Sequence, residues 1–121
     1  MSVVDASALL AFLLGEDGAE KVEDVLTAGA SCGAANWSEV AQKIRAHGRN
    51  WDLARALLAS FDLEVESVTV ADGEWAAARW IRGEGLSLAD RLCLALANRL
   101  EVDVWTADRS WGEQGRVRQI R

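Results

Sequence analysis

The chain has 121 residues, enough for one domain that buries about two thirds of the surface its unfolded form exposes, and too few for two. Half of them are hydrophobic and 26% charged, the profile of an ordinary globule, which excludes a disordered or fibrous chain. A formal net charge of -6 argues against a non-specific polyanion binder, because phosphate contacts need Lys and Arg to displace condensed counterions.

Read from the N-terminus, SVVD is a short apolar strand and ASALLAFLLG a mostly buried helix stopped by Gly15. The ALLAFLL run is not a signal-peptide core, since Asp5 and no Lys or Arg precedes it and it stops at GED. From Asp17 to about Ala28, the residues Ala19, Val22, Val25 and Leu26 recur at helical spacing, with Gly29 as the stop. SCGAA is a strand of small residues suited to a crowded sheet centre. NWSEVAQKIRAHG then reads as a helix closed by Gly48, and a further helix runs from Trp51 to Ser60. LEVESV alternates apolar with acidic, the period of a half-exposed strand, which places it at a sheet edge. A helix from Val70 to Arg82 carries Ala71, Trp75, Ala78 and Ile81 along one stripe. SLADRLCLALANRL is the strongest helix, DVWTA a strand, RSWGEQG a short turn or helix, and VRQI a candidate final strand. Strands alternating with helices need crossover connections, so the fold class is α/β: one domain over residues 1–121, with a mainly parallel central sheet of four to five strands and helices on both faces.

Three acids stand at comparable junctions. Asp5 closes the first strand, Asp108 follows DVWT, and Glu39 falls in the first turn of the helix after SCGAA. In a parallel sheet these points share one edge, the carboxyl ends of the strands, where open α/β sheets place ligands. Asp90, opening the SLADRLCLALA helix, joins them if that helix begins at the same edge. Each acid alone has a simpler explanation. Asn36 to Glu39 and Ser87 to Asp90 have capping-box spacing, and capping predicts side chains that reach back to their own helix N-terminus. Gathered together, however, four carboxylates raise one another's pKa unless a cation is present. Mg2+ or Mn2+, one or two ions, suits such an all-oxygen donor set, and no His or Cys cluster competes for the role. That is the apparatus of metal-assisted phosphodiester hydrolysis. Cys32 and Cys93, in apolar runs without CxxC spacing, read as reduced core thiols in a cytoplasmic protein.

In order and separation, VVDASALLAFL, NWSEVAQKI, GLSLADRLCLALA and VWTADRSW resemble the PIN-domain ribonucleases, and their wording is most similar to the VapC-type toxins of bacterial toxin-antitoxin pairs. The resemblance covers essentially the whole chain. It implies a PIN-like fold, an acidic quartet of Asp5, Glu39, Asp90 and Asp108 that binds Mg2+ or Mn2+, and endonucleolytic cleavage of RNA. Ser7 and Thr106 match small hydroxyl positions near that quartet. The resemblance also implies a homodimer and a cognate antitoxin whose basic tail segment occupies the groove. A different class of function remains open beside it: a non-catalytic acidic interaction module whose acids cap helices and attract a basic partner segment.

Candidate RNA-binding cations are Arg45, Arg49, Arg91 and Arg109, with Arg116, Arg118 and Arg121 forming a basic C-terminal end. His47, at a helix end beside Gly48, reads as a solvated or dipole-complementing residue. For the six tryptophans core packing is the default, with one of Trp75 and Trp80, or Trp51, a candidate for a dimer interface, while Trp37 and Trp111 flank the acids.

Overall fold

Val3 and Val4 are neighbours in a strand, so their side chains leave on opposite faces, and both are fully buried. A sheet with such a central strand must be covered on both sides. The computed structural model describes residues 1–121 and contains β1 (Ser2–Val4), α1 (Ala6–Leu14), α2 (Ala19–Ala28), β2 (Ala30–Gly33), α3 (Ala34–Ala46), α4 (Trp51–Ser60), β3 (Glu64–Glu66), α5 (Val70–Ala78), α6 (Leu88–Leu100), β4 (Val104–Thr106), a 3-10 turn (Arg109–Trp111) and β5 (Val117–Gln119).

The strands lie in the order β3-β2-β1-β4-β5, with every pair parallel. LEVESV therefore supplies an edge strand, shortened to Glu64–Glu66 with Val65 exposed, and VRQI the opposite edge. The larger core lies on one face, where Val4, Ala30 and Cys32 of the sheet meet Leu9, Val22, Leu26, Val40, Ile44 and Leu58 from the first four helices. On the other face Val3, Val104 and Val117 meet Cys93, Leu96 and Ala97 of α6, and α5 packs against α6. Both cysteines are free and fully buried, and burial pushes both thiols up, which keeps them protonated and inert.

Two element boundaries differ from the sequence reading. Ala34 and Ala35 belong to α3, not to the preceding strand, so Gly33 is the N-cap and Glu39 falls in the second helical turn. Alanine, the best helix former, joins the helix as soon as the strand pairing of β2 runs out at Gly33. At the other boundary, α5 ends at Ala78 and does not reach Arg82. Arg91 reaches back from α6 to donate to the Ala76 carbonyl at 2.7 Å, and Arg79 grips Glu84 through two bonds of 2.7 and 3.0 Å, folding residues 79–84 into a turn. Consequently Ile81 is exposed, and the residues that α5 buries are Asp72 and Ala76. Trp51 takes the core position that is the default for these tryptophans, packing edge-on against Trp37 at 5.0 Å, while Trp80 is the exposed indole.

Candidate functional site

The strand order changes direction at β1, since the chain first builds outward through β2 and β3 and then returns to add β4 and β5 on the other side. Such a reversal leaves a crevice beyond the carboxyl ends of the two strands that flank it. Here those ends are Asp5, directly after β1, and the Thr106 to Asp108 segment closing β4.

Asp5 is 4% exposed, and hydroxyls and a backbone amide enclose its carboxylate. Ser7 donates to both oxygens at 2.8 and 2.9 Å, the Ala8 amide donates to Oδ1 at 2.8 Å, and Thr106 donates to Oδ2 at 2.6 Å. The two hydroxyls are themselves held: Ser7 accepts from the Ala107 amide at 2.9 Å, and Thr106 accepts from the Asp108 amide at 3.0 Å. Residues a hundred positions apart in the chain are thus tied to one carboxylate, which fixes the start of α1 against the end of β4. Burial nevertheless raises the Asp5 pKa from its ordinary 3.8 to about 6, outweighing the lowering by Thr106, Ala8 and Ser7, and the Asp90 charge adds to the rise.

The other three acids line the same cleft, of about 430 Å3. Asp90 is half-buried in the first turn of α6, where Oδ2 accepts from the Ser87 amide at 3.0 Å and its own amide donates to Ser87 at 3.1 Å, completing a capping box. Asp108 caps the 3-10 turn, its Oδ1 accepting from the Ser110 amide at 2.9 Å and from the Ser110 hydroxyl at 2.6 Å. Glu39 Oε1 accepts from Asn36 Nδ2 at 3.2 Å. The capping geometry weighed from the sequence is therefore present for Asp5, Asp90 and Asp108. It engages one oxygen each of Asp90 and Asp108, and Asn36 likewise engages one of Glu39, so those three carboxylates each keep an oxygen without a hydrogen-bond partner.

An oxygen-only donor set of this kind suits Mg2+ or Mn2+. A second feature points the same way: Asn36 is 1% exposed, lines the cleft, and its Oδ1 has no hydrogen-bond partner. Buried amide oxygens seldom stand unpaired, and this one adds a neutral oxygen donor beside the acids. The carboxylates do not form a ready-made cage, since no three acidic side chains stand close enough to enclose an ion while two of them are turned toward their caps.

Several cleft residues escaped the sequence reading. Asn36, Lys43 and His47 fall on one stripe with the predicted Glu39 along α3 and its C-cap, and all three line the cleft. The i, i+3, i+4 projection from Glu39 would have found them. Glu16 joins from a loop, and Arg121, already read as part of a basic C-terminal end, joins from the C-terminus; only the folded topology brings the two near. Arg45, Arg49, Arg91 and Arg109 do not line it; Arg91 is committed to the Ala76 carbonyl. His47 does end α3, its Nδ1 lying 2.8 Å from the Lys43 carbonyl.

A family model described as PIN domain matches residues 2–117. Among solved structures, the chain is similar to one of a toxin-antitoxin complex from Klebsiella pneumoniae at 16% identity and a TM-score of 0.80, with 100% of this chain and 98% of that chain covered. It is also similar to VapC20 of Mycobacterium tuberculosis, a sarcin-ricin loop cleaving toxin, at 17% identity and a TM-score of 0.76, with 97% of each chain covered. No curated protein sequence matches it. At these identities the structural likeness is one of fold.

Proposed function

The chain belongs to the PIN domain family, and on that premise we propose that it is a divalent-metal-dependent endoribonuclease, the toxin of a VapC-type toxin-antitoxin pair. The observation that carries this reading is the shared cleft of Asp5, Glu39, Asp90 and Asp108 at the strand-order reversal, with a buried carboxylate at its floor and free oxygens around it. Asp5 and Asp90 would be the principal holders of one Mg2+ or Mn2+ ion, Glu39 would hold it directly or through water, and Asp108 would complete that site or recruit a second ion. When bound, such ions activate water and neutralise charge on the phosphorane and the leaving oxygen.

The protein's own part is to place its carboxylates and exclude competing chemistry. Ser7 and Thr106 hold the Asp5 carboxylate in one orientation. Neither hydroxyl is free to attack, because Ser7 both donates to Asp5 and accepts from the Ala107 amide, and Thr106 is similarly occupied. Both thiols are buried. These groups thus offer no nucleophile of their own at this cleft, and on this reading it is water that attacks the scissile phosphate in line with the departing ribose oxygen. The partners are an RNA substrate, a second copy of the chain in a homodimer, and an antitoxin whose basic tail enters the acidic cleft. No helix is long and apolar enough to cross a membrane, and a cytoplasmic setting fits two reduced thiols.

Purified protein should cleave a structured RNA with Mg2+ or Mn2+, and cleavage should stop in EDTA and in Asp5→Asn or Asp90→Asn variants that still fold. Undiminished activity in those variants would assign the cleavage to a contaminant or another site. A second reading, a non-catalytic acidic module that binds a basic segment, is favoured by the caps on Asp5, Asp90 and Asp108. It expects no Mn2+ binding, and calorimetry that detects Asp108-dependent Mn2+ association excludes it.

A further inference from the structure

The cleft is not uniformly acidic. Along α3 and its C-cap the wall changes from Asn36 and Glu39 to Lys43 and His47 over about three helical turns, and Arg121 stands on the same cleft from the C-terminus. Neither Lys43 nor Arg121 is in an ion pair, although acids line the cavity they share. Arg121 is anchored by one bond, its Nη1 donating to the Asp17 carbonyl at 2.9 Å, which leaves its other guanidinium donors free. His47 has a defined tautomer: the atom opposite Nδ1 is a carbonyl oxygen, which only accepts, so Nδ1 carries the proton. In the neutral ring Nε2 is then a free acceptor.

We propose that Lys43, His47 and Arg121 form the RNA-strand subsite of this cleft, the two cations gripping a phosphate adjacent to the scissile one and the imidazole accepting from a ribose 2′-hydroxyl. The inference deepens the nuclease reading and rests on it only for what happens to the strand once bound. The chemistry of the wall selects this occupant. Carboxylates alone repel the backbone flanking the scissile phosphate, and these are the cations that line the cavity. With Nδ1 turned to the Lys43 carbonyl, a neutral imidazole presents Nε2 to accept from the ribose 2′-hydroxyl, a donor that the sugar of a DNA strand lacks.

The test measures binding of a fluorescent single-stranded oligoribonucleotide to the chain in an Asp90→Asn background with Mg2+, and steady-state cleavage in the otherwise wild-type chain. Lys43→Ala and Arg121→Ala should each weaken binding about tenfold and lower the slope of log affinity against log salt by about 0.7 per lost phosphate contact. In cleavage they should raise KM with kcat little changed, and Lys43→Arg should restore both. His47→Phe should weaken binding of the RNA oligomer several-fold while leaving its 2′-deoxy counterpart unaffected. Variants that cleave and bind as wild type overturn the subsite and leave the nuclease standing. RNA binding that depends on these residues without any cleavage leaves the subsite and overturns the nuclease. No RNA binding by the parent chain overturns the subsite outright.

Discussion

Removing divalent ions should make the stability of this protein fall as pH rises from about 4 to about 6.5, the reverse of ordinary acid denaturation. The cause is Asp5, whose carboxyl binds its proton more tightly in the folded chain, with a pKa raised to about 6 against 3.8 ordinarily, chiefly by burial. A group with a raised folded pKa contributes stability that is fully present below its unfolded pKa and is lost as pH climbs through the folded value. At 1.36 kcal/mol per pK unit the difference is about 3 kcal/mol, a sizeable share of a typical domain's stability. The assay is urea unfolding in EDTA, followed by tryptophan fluorescence, at intervals from pH 4 to 8. Saturating Mg2+ or Mn2+ should abolish the decline by neutralising the carboxylate, so that the ion stabilises the fold more at pH 7.5 than at pH 5. Asp5→Asn, without a titrating group at that position, should give a flat profile in EDTA over the same interval. Equal stability of the wild-type chain at pH 5 and 7.5 in EDTA, or a decline that persists in Asp5→Asn, would refute the assignment.

Thr106→Val removes the 2.6 Å donor to Asp5 and the acceptor of the Asp108 amide, so urea unfolding at pH 7.5 should register a loss of about 2 kcal/mol and a steeper pH decline. Asp90→Asn keeps an acceptor for the Ser87 amide and should unfold like wild type while losing cleavage; Asp90→Ala loses the cap as well and should cost about 1 kcal/mol by the same measurement. Burial alone would raise the Asp72 pKa, but the Arg99 guanidinium and the Thr69 donors hold it below the usual carboxylate range. Arg99→Ala should therefore cost about 1 kcal/mol near neutrality, after discounting for a partly exposed arginine, and the penalty should vanish as the acid limb passes below about pH 4. Gly18→Ala should lower the thermal midpoint, at a cost of about 2 kcal/mol, because Gly18 has φ 92° and an added Cβ would lie 2.7 Å from Ile120 Cδ1.

The sheet and the placement of Asp5 and Asp108 at its edge could be read from the chain because both follow from local pattern, whereas Asp90 depended on where α6 begins. Apolar β-branched runs end in Asp5 and in the Thr106 to Asp108 segment, and a parallel sheet places all such ends on one edge whatever the strand order. Strand order itself was not legible, since nothing in SVV or VWT states that β1 and β4 are neighbours. The start of α3 was hidden because Ala34 and Ala35 suit a crowded strand as well as a helix, and what decides is where the pairing with β3 stops. The end of α5 was hidden because it depends on Arg91, a residue of another helix. For the same reason Arg91 looked like a free cation in sequence and is a structural tie in the fold. Arg121 is the converse case, one of three arginines of a basic C-terminal end, and it is β5 that carries it to the acid edge.

Capping and metal binding appeared as rival explanations of the same acids, and the geometry removes the rivalry. A carboxylate has two oxygens, and a cap requires one. Asp90 and Asp108 each give one oxygen to a backbone amide at 2.9 to 3.0 Å and retain the other, so capping fixes where the group stands without exhausting its capacity to bind. Asp5 differs, with both oxygens engaged and almost no solvent. It is the most rigid of the four and the one whose charge the fold tolerates least. A cation at this cleft would therefore gain most from Asp5 electrostatically and from Asp90, Glu39 and Asp108 in freely offered oxygens. That division of labour explains why the buried acid needs two hydroxyls to hold it, while Asp90 and Asp108 need only the first turns of the elements they cap and Glu39 only the Asn36 amide.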